Sequence, residues 1–423
     1  MLNIKFIREN RDLVIERLKV KNFKAENIIV EIILLDDERR KTQVDQDARQ
    51  AELNTTSKEI GNLFKAGKAA EANLVKEKTI LLKDEIKELT SSMQNIESKL
   101  DELLIQIPNI PHKSVPKGKG EADNLEIHSG GKIPELESNA LPHWELGKKY
   151  NILDFDLGNK ITGAGFPVFM GKGAKLQRSL IQFFLDEAIN AGYNEVLPPL
   201  MVNEASGYGT GQLPDKEGQM YHVTADNLYL IPTSEVPVTN IYRDLIINAS
   251  DFPIKNTSFT PCFRREAGSY GKDVRGLNRV HQFDKVEIVQ IQHPDNSYKA
   301  LDEMVKHVEG LLKKLEMPYR IMRLCGGDIS FTSALTYDFE VYSAAQKKWL
   351  EVSSVSNFES FQANRLKLRF REEGTKKTRL AHTLNGSALA LPRIIAALLE
   401  NNQTNDGINI PEILIPYTGF DTI

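Results

Sequence analysis

Cysteine is almost absent from this chain: Cys262 and Cys325 are the only two in 423 residues. Two cannot form a Cys-rich zinc site, and a disulfide framework is not expected. Both read as reduced thiols of a cytoplasmic protein. Long apolar runs are also missing. None approaches a membrane span, so no membrane association is expected. The opening residues, MLNIKFIREN, are charged and hold no apolar core of signal-peptide length. A large excess of either charge is missing too: 54 Lys and Arg stand against 58 Asp and Glu, a net charge of −4. That excludes bulk polycationic binding of nucleic acid but leaves room for a local basic patch. The eight histidines show no arrangement suggesting a nucleophilic triad. No internal repeat is visible. With 41% hydrophobic and 26% charged residues, the balance is that of an ordinary soluble protein. The length predicts two or more domains.

Proline and glycine are scarce between Ala25 and Ile107. In the second half of that stretch Val75, Thr79, Leu82, Ile86, Leu89, Met93, Ile96, Leu100, Leu103 and Ile107 step by four and three, an a/d seam. The first half keeps a weak copy in Val30, Leu34, Val44, Ala48 and Ala51, with Asp37 and Lys41 at seam-like positions. Gly61 and Gly67 flank a small-residue break, LFKAGKAA. The pattern predicts two antiparallel helices of about 35 residues, each about 50 Å long at 1.5 Å per residue. Such a hairpin serves either as a dimerisation coiled coil or as an arm that grips a large partner. Periodicity does not choose between them.

Pro108, Pro111 and Pro116 end the helical stretch, and a linker rich in proline and glycine follows, with a domain boundary expected near 110–125. Beyond it the chain reads as mixed α and β. A helix is predicted after GAGFPVFMGKG, with Leu176, Leu180, Phe183, Phe184 and Ile189 on its apolar face. Short strands are predicted in the second half at TPCFRRE, HQFDKVEIVQI, YRIMRLCGG, TYDFEVYSA and KKWLEVSSVSN. Helices are predicted at YKALDEMVKHVEGLLKKLE and SALALPRIIAALLENNQ. Neighbouring strands with short connections favour an antiparallel sheet with helices on one side, an α+β layer. GAGFP and GKGA lack the spacing of a phosphate loop.

Polar chemistry concentrates in four segments. The central one runs from Cys262 to Val289: two alternating strands joined by a loop with Gly268, Gly271 and Gly276 and the bases Lys272, Arg275 and Arg279. Arg264, Arg265 and Glu266 end the first strand. Phe283 opens the second, and Glu287 follows on the same face. Guanidinium for phosphate, carboxylate for a donor and a ring for a base describe a nucleotide site. Thr233-Ser234-Glu235 offers hydroxyls beside a carboxylate, suited to an ammonium and a hydroxyl, although it equally reads as a helix N-cap. Glu351-Val352-Ser353-Ser354 puts Glu351 and Ser353 on one strand face and Val352 and Ser354 on the other unless a bulge intervenes. In Thr383-Leu384-Asn385-Gly386-Ser387, Gly386 admits close backbone approach. Arg393 then sits early in an apolar helix, where an anion partner is expected.

In this order, the segments resemble the class II aminoacyl-tRNA synthetases, and the order is similar to that of the bacterial-type seryl-tRNA synthetase family. The resemblance rests on IREN near the start, the helical hairpin, TGQLP, TSE, FRREAGSYGKDVRGLNRVHQFDKVE, EVSS and TLNGSALALPR, and it spans essentially the whole chain. It implies an α+β fold: an antiparallel sheet of about six strands flanked by helices, with a long N-terminal antiparallel coiled-coil arm. It implies a tRNA-binding domain over 1–115, with the arm at about 28–107, and a catalytic domain over 116–423.

The activity implied is the joining of L-serine to ATP and then transfer of serine to tRNA(Ser), with tRNA(Sec) left open. Arg264 at the α-phosphate and Arg393 at the γ-phosphate are the expected catalytic groups. Arg265, Glu266, Val280, Phe283, Glu351, Val352, Ser353 and Ser354 are expected to bind ATP with them. Thr233, Ser234, Glu235, Glu287, Asn385 and Ser387, with Arg264, are expected around the serine. Glu351 and Ser354 are expected to hold Mg2+ with ATP, and no zinc is expected. Pro198-Pro199 lies in the segment that implies a homodimer. The competing readings are a carrier-protein ligase, another class II synthetase such as threonyl or prolyl, and a coiled-coil scaffold with a degenerate nucleotide domain.

Overall fold

The helical stretch ahead of the linker forms two long helices because nothing in it breaks a helix except one glycine. The structure, a computed structural model, describes residues 1–215, 217–266 and 275–423. They divide into two units, Met1–Lys19 with Phe23–Pro108, and Val20–Asn22 with Asn109–Ile423.

In the first unit, helices α1 (Ile4–Glu9) and α2 (Arg11–Val20) precede α3 (Glu26–Lys65) and α4 (Ala69–Leu104). Asn3 caps α1 by accepting the Lys5 and Phe6 N–H groups. With 40 and 36 residues, α3 and α4 are about 60 and 54 Å long. The break is narrower than expected: Gly61 lies inside α3, and only Ala66–Lys68 turn. Gly67 takes a φ of +77° there, which a side chain would resist. The helices run antiparallel, shown by Gln46 donating to Thr90 Oγ1 at 2.8 Å and Arg49 meeting Glu85 at 2.9 Å.

The α4 seam follows its periodicity, with Thr79, Leu82, Met93, Ile96 and Leu100 buried. Leu104 rather than Leu103 carries it on. The α3 copy does not hold. Val30, Leu34 and Val44 are exposed, while Ile29, Ile32, Asp36, Thr42 and Thr56 are buried. That seam is partly polar, so apolar periodicity found the wrong face. Asp36 lies in it because Arg8 at 3.0 Å and Arg39 at 2.8 Å pair with its carboxylate.

In the second unit an eight-stranded sheet holds β1 (Leu125–Gly130), β2 (Asn194–Glu195), β3 (Ile254–Phe263), β4 (Gln282–Gln292), β5 (Tyr319–Arg323), β6 (Leu335–Ser343), β7 (Lys348–Glu359) and β8 (His382–Ala390). Their order is β1-β5-β6-β7-β8-β4-β3-β2. Every pair is antiparallel except β2 with β3. The two strands beyond the expected six are the edges. β1 buries no side chain and β2 has only two residues, so neither contributes a buried face of the kind that marks a strand in sequence.

Helices α5 (Gly171–Asn190), α6 (Glu235–Asn240), α7 (Ser297–Lys314) and α8 (Leu391–Asn401) belong to the same unit. Phe183 and Phe184 of α5, Met304 and Leu311 of α7, and Ile394 and Leu398 of α8 join Val286, Ile288, Phe339 and Val355 of the strands in one core. Each such side chain contributes about 1.5–3 kcal/mol by leaving water. Ile189 is not among them; it is exposed, and Ala188 is the buried residue of that turn. The predicted helix at SALALPR starts later than expected. Ser387–Ala390 complete β8, and Pro392 stands in the first turn of α8, where its missing N–H costs nothing. Gly386 is a point of close packing between β8 and β7. A Cβ there would lie 3.0 Å from Val355 Cγ2, on the core side of the sheet.

Candidate active site

The strands alternate, so what is apolar on the helix-covered face is polar on the other. Phe283, Lys285 and Glu287 share that second face of β4, opposite Cys262, Thr260 and Ser258 of β3. On the other flank Glu287 pairs with Ser387, and Val289 with Asn385.

Glu287 is the hub. It is buried, with 1% exposure. Its Oε1 accepts from Asn385 Nδ2 at 2.7 Å, and its Oε2 accepts from Thr233 Oγ1 at 3.2 Å and lies 2.6 Å from Lys285 Nζ. Lys285 also donates to Thr233 Oγ1 at 2.8 Å. Thr233 accepts the Glu235 N–H at 3.2 Å, while Ser234, at the N-cap position of α6, makes no side-chain capping bond. Ser234 buries a hydroxyl that has no partner among the described residues.

Glu235 is buried and accepts from Gln362 Nε2 at 2.6 Å, and Gln362 in turn accepts from Thr383. Burial, and then the nearby Glu287, push the Glu235 carboxyl up to about 7, with Gln362, Lys285 and Arg264 pulling the other way. The site thus holds two buried carboxylates with two cations beside them.

The residues expected to bind the nucleotide adjoin it. The Arg264 guanidinium lies 5.3 Å from the centroid of the Phe283 ring, and its Nε donates to the Pro232 carbonyl at 3.3 Å. Phe283 lines a cleft of about 240 Å3 with Phe166, Gln282 and Pro392. Glu266, at a φ of +48°, pairs with Arg279 at 2.8 Å. Arg265 contributes its backbone N–H to the Gln219 carbonyl at 2.9 Å. Arg275 lies over the Trp144 ring at 4.7 Å. The expected loop residues Gly268, Gly271 and Lys272 lie outside the described residues.

Across the sheet, a register shift falls between Phe339 and Glu340 where they face Ser353 and Glu351. This bulge brings Glu351 and Ser354 together, with Ser354 Oγ donating to Glu351 Oε1 at 3.5 Å. Val352 goes into the core at 1% exposure, and Ser353 gives its hydroxyl to the Ser387 carbonyl at 2.5 Å. Neither side chain, nor that of Val280, another core residue, is available to a ligand, so the expectation for these three narrows to their backbones. Arg393 donates to the Glu351 carbonyl at 2.7 Å and to the Asn278 carbonyl at 2.9 Å, and its Nη1 lies 3.6 Å from the Glu351 carboxylate. Thus β7, α8 and the return of the loop meet at one guanidinium.

Several contributors went unread in the sequence. Lys285 had a signal: it stands two residues from both Phe283 and Glu287, hence on their face. Asp338 had none. It faces Ser354 in register and keeps a buried oxygen without a partner among the described residues. Burial, and then Glu351, hold its carboxyl well above the usual range. Gln362, His143 and Glu400 are likewise assembled only by the tertiary fold.

Comparison with known proteins agrees with this geometry. Residues 1–111 match the seryl-tRNA synthetase N-terminal domain, and residues 221–402 match the class II tRNA synthetase core domain (G, H, P, S and T). The chain is 49% identical to the serine–tRNA ligase of Salinibacter ruber, over 100% of this chain and 99% of that one. It is 46% identical to that of Chlorobaculum parvum over the full length of both. Among solved structures it is similar to a seryl-tRNA synthetase from Pyrococcus horikoshii complexed with ATP, with a TM-score of 0.92 at 36% identity, covering 100% and 99% of the two chains. The chain belongs to the seryl-tRNA synthetase family of the class II aminoacyl-tRNA synthetases.

Proposed function

We propose that this chain is a serine–tRNA ligase, which activates L-serine with ATP and passes the seryl group to the 3′-terminal adenosine of tRNA(Ser). The observation that carries this reading is the junction of two half-sites on one strand: Phe283 beneath Arg264 at one end of β4, and Glu287 among Thr233, Lys285 and Asn385 further along it.

The serine carboxylate is the nucleophile. It attacks the α-phosphorus, the bond to the departing pyrophosphate breaks, and seryl-adenylate forms. A hydroxyl of the terminal adenosine then displaces AMP. The protein's task is alignment and charge stabilisation. Phe283 stacks on adenine, with Glu266 and the backbones of Arg265 and Val280 around it. Arg264 neutralises the α-phosphate and Arg393 the γ-phosphate. Glu235 and Glu287 receive the ammonium and hydroxyl of serine, aided by Thr233, Ser234, Asn385 and Ser387. Alanine would leave those buried polar groups unpaired, which is how such a site rejects it.

Glu351 and Ser354 supply adjacent oxygens of the kind Mg2+ takes. With ATP phosphates as the remaining ligands, these two residues would hold the ion. When bound, Mg2+ neutralises phosphate charge.

The helical hairpin grips the tRNA through its backbone and shape rather than base edges. The protein works in the cytoplasm as a homodimer. The large apolar residues Leu197, beside Pro198-Pro199, and Ile161 are 83% and 67% exposed in the single chain, which a partner subunit would cover. No described helix is long and apolar enough to cross a membrane.

The test is charging. The purified chain with ATP, Mg2+, labelled serine and its cellular tRNA should give acid-precipitable seryl-tRNA. Adenylate formation without transfer to tRNA would point instead to a different acceptor.

A further inference from the structure

We propose that Lys285 is a positioning residue of the serine pocket, orienting the Thr233 hydroxyl and matching the charge of the pocket to a zwitterionic amino acid. The proposal rests on the reading of the chain as a serine–tRNA ligase. Lys285 is 5% exposed, and its ammonium lies 2.6 Å from Glu287 Oε2 and 2.8 Å from Thr233 Oγ1.

The donor inventory decides what this does. A hydroxyl has one proton to give and two lone pairs to receive with. Thr233 Oγ1 faces two groups that only donate, the Lys285 ammonium and the Glu235 backbone N–H. Both lone pairs are therefore occupied. The one remaining direction is donation, and Glu287 Oε2 receives it at 3.2 Å. Asn385 takes Oε1 through its amide. Glu287 is thereby held in one orientation by three donors: Lys285 itself, Thr233, whose hydroxyl Lys285 orients, and Asn385.

Charge points the same way. The titratable and charged groups facing the pocket are Glu235 of α6, Glu287 and Lys285 of β4, Cys262 of β3, and Arg264 at its end. Burial pushes the Cys262 thiol up, so it stays neutral. Once Glu235 is ionised, above about pH 7, two carboxylates stand with two cations. Such a pocket is neutral overall and receives a ligand that is itself neutral but carries one charge of each sign. Removing the lysine leaves two buried carboxylates without that cation, and like charges in a dry site resist joint ionisation. Glu235, which Lys285 helps to keep ionised, then protonates at higher pH and stops serving the ammonium.

Serine-dependent ATP–pyrophosphate exchange, followed on both sides of pH 7, tests the assignment. In Lys285→Met the KM for serine should rise by more than about tenfold, on the scale of hydrogen bonds to charged groups. The KM for ATP should change little, and the acid limb of kcat/KM for serine should move to higher pH. Lys285→Gln, which keeps a donor without the charge, should show the same shift of the limb with a smaller rise in KM. A limb and a serine KM that stay in place in an active Lys285→Met would overturn the proposal. So would loss of a cooperative melt in both variants, which would make the lysine a requirement of folding. A wild-type chain with no serine-dependent exchange overturns the underlying reading and this one with it.

Discussion

His143 and Glu400 form a pair with no exposure at either side chain, Nδ1 to Oε1 at 2.7 Å. The other ring nitrogen, Nε2, accepts the Leu277 N–H at 2.8 Å. Glu400 also receives Gln346, whose own oxygen accepts from Asn278, and the Asn278 carbonyl receives Arg393. A buried network therefore ties the far end of α8 to the guanidinium at its start, through the returning loop.

Burial alone would push the Glu400 carboxyl up, and hydrogen bonds from His143 and Ser343 bring it below the ordinary range. His143→Ala removes one of several donors to that carboxylate and should cost about 1.5–3 kcal/mol of stability, the scale of a hydrogen bond to a charged group. It should also raise the KM for ATP. His143→Gln keeps a donor and should cost less. Thermal melting and pyrophosphate exchange check both.

Arg393 is only partly buried, and its side chain is 27% exposed, so its loss should be felt in rate more than in stability. Arg393→Ala should lower kcat for exchange by about a hundredfold, as for removal of one transition-state donor, with a melt close to that of the parent. Arg264→Ala should do the same or more. Near-normal exchange in either variant contradicts the roles given to them.

Glu235 makes stability and function pull apart. Its folded value, about 7, lies above the ordinary 4.5. The folded chain therefore holds this proton more tightly than the unfolded one. Stability from this group falls as pH rises from about 4.5 to 7 and stays low above that. Glu235→Gln should raise stability above pH 7 by an amount on the order of 3 kcal/mol, the scale of such a shift. The same variant should raise the KM for serine, and the acid limb near pH 7 should disappear from kcat/KM. A limb that persists in Glu235→Gln belongs to another group.

How much of this was legible in the sequence depended on the kind of signal. β3 and β4 announced themselves by alternation, and α4 by its four-three steps. Arg264, Phe283 and Arg393 stood out as charges and a ring near element ends, and Glu287 as a carboxylate on the same strand face as Phe283. The α3 seam misled because Asp36, Thr42 and Thr56 fill it, and only Arg8 and Arg39 make the buried acid affordable. The proximity of Glu351 to Ser354 depended on a bulge that no residue type signals. Lys285 was readable by counting two residues either way along β4, whereas Gln362 and His143 come from segments more than a hundred residues from Glu235 and Glu400.

The arm gives a prediction about the acceptor. Deleting residues 28–107 removes α4 and nearly all of α3 and touches none of the residues assigned to serine or ATP. Adenylate formation should survive, while tRNA charging should fall by at least about a hundredfold, the scale of losing many backbone contacts. Charging that survives the deletion would make the hairpin a structural or dimerising device.

The central claim is the identity of the amino acid, and one measurement addresses it: ATP–pyrophosphate exchange by the full chain across a panel of amino acids. The account predicts exchange with serine, with alanine, threonine, glycine and proline close to background. Exchange driven by threonine or proline in place of serine, or by no amino acid at all, would contradict it.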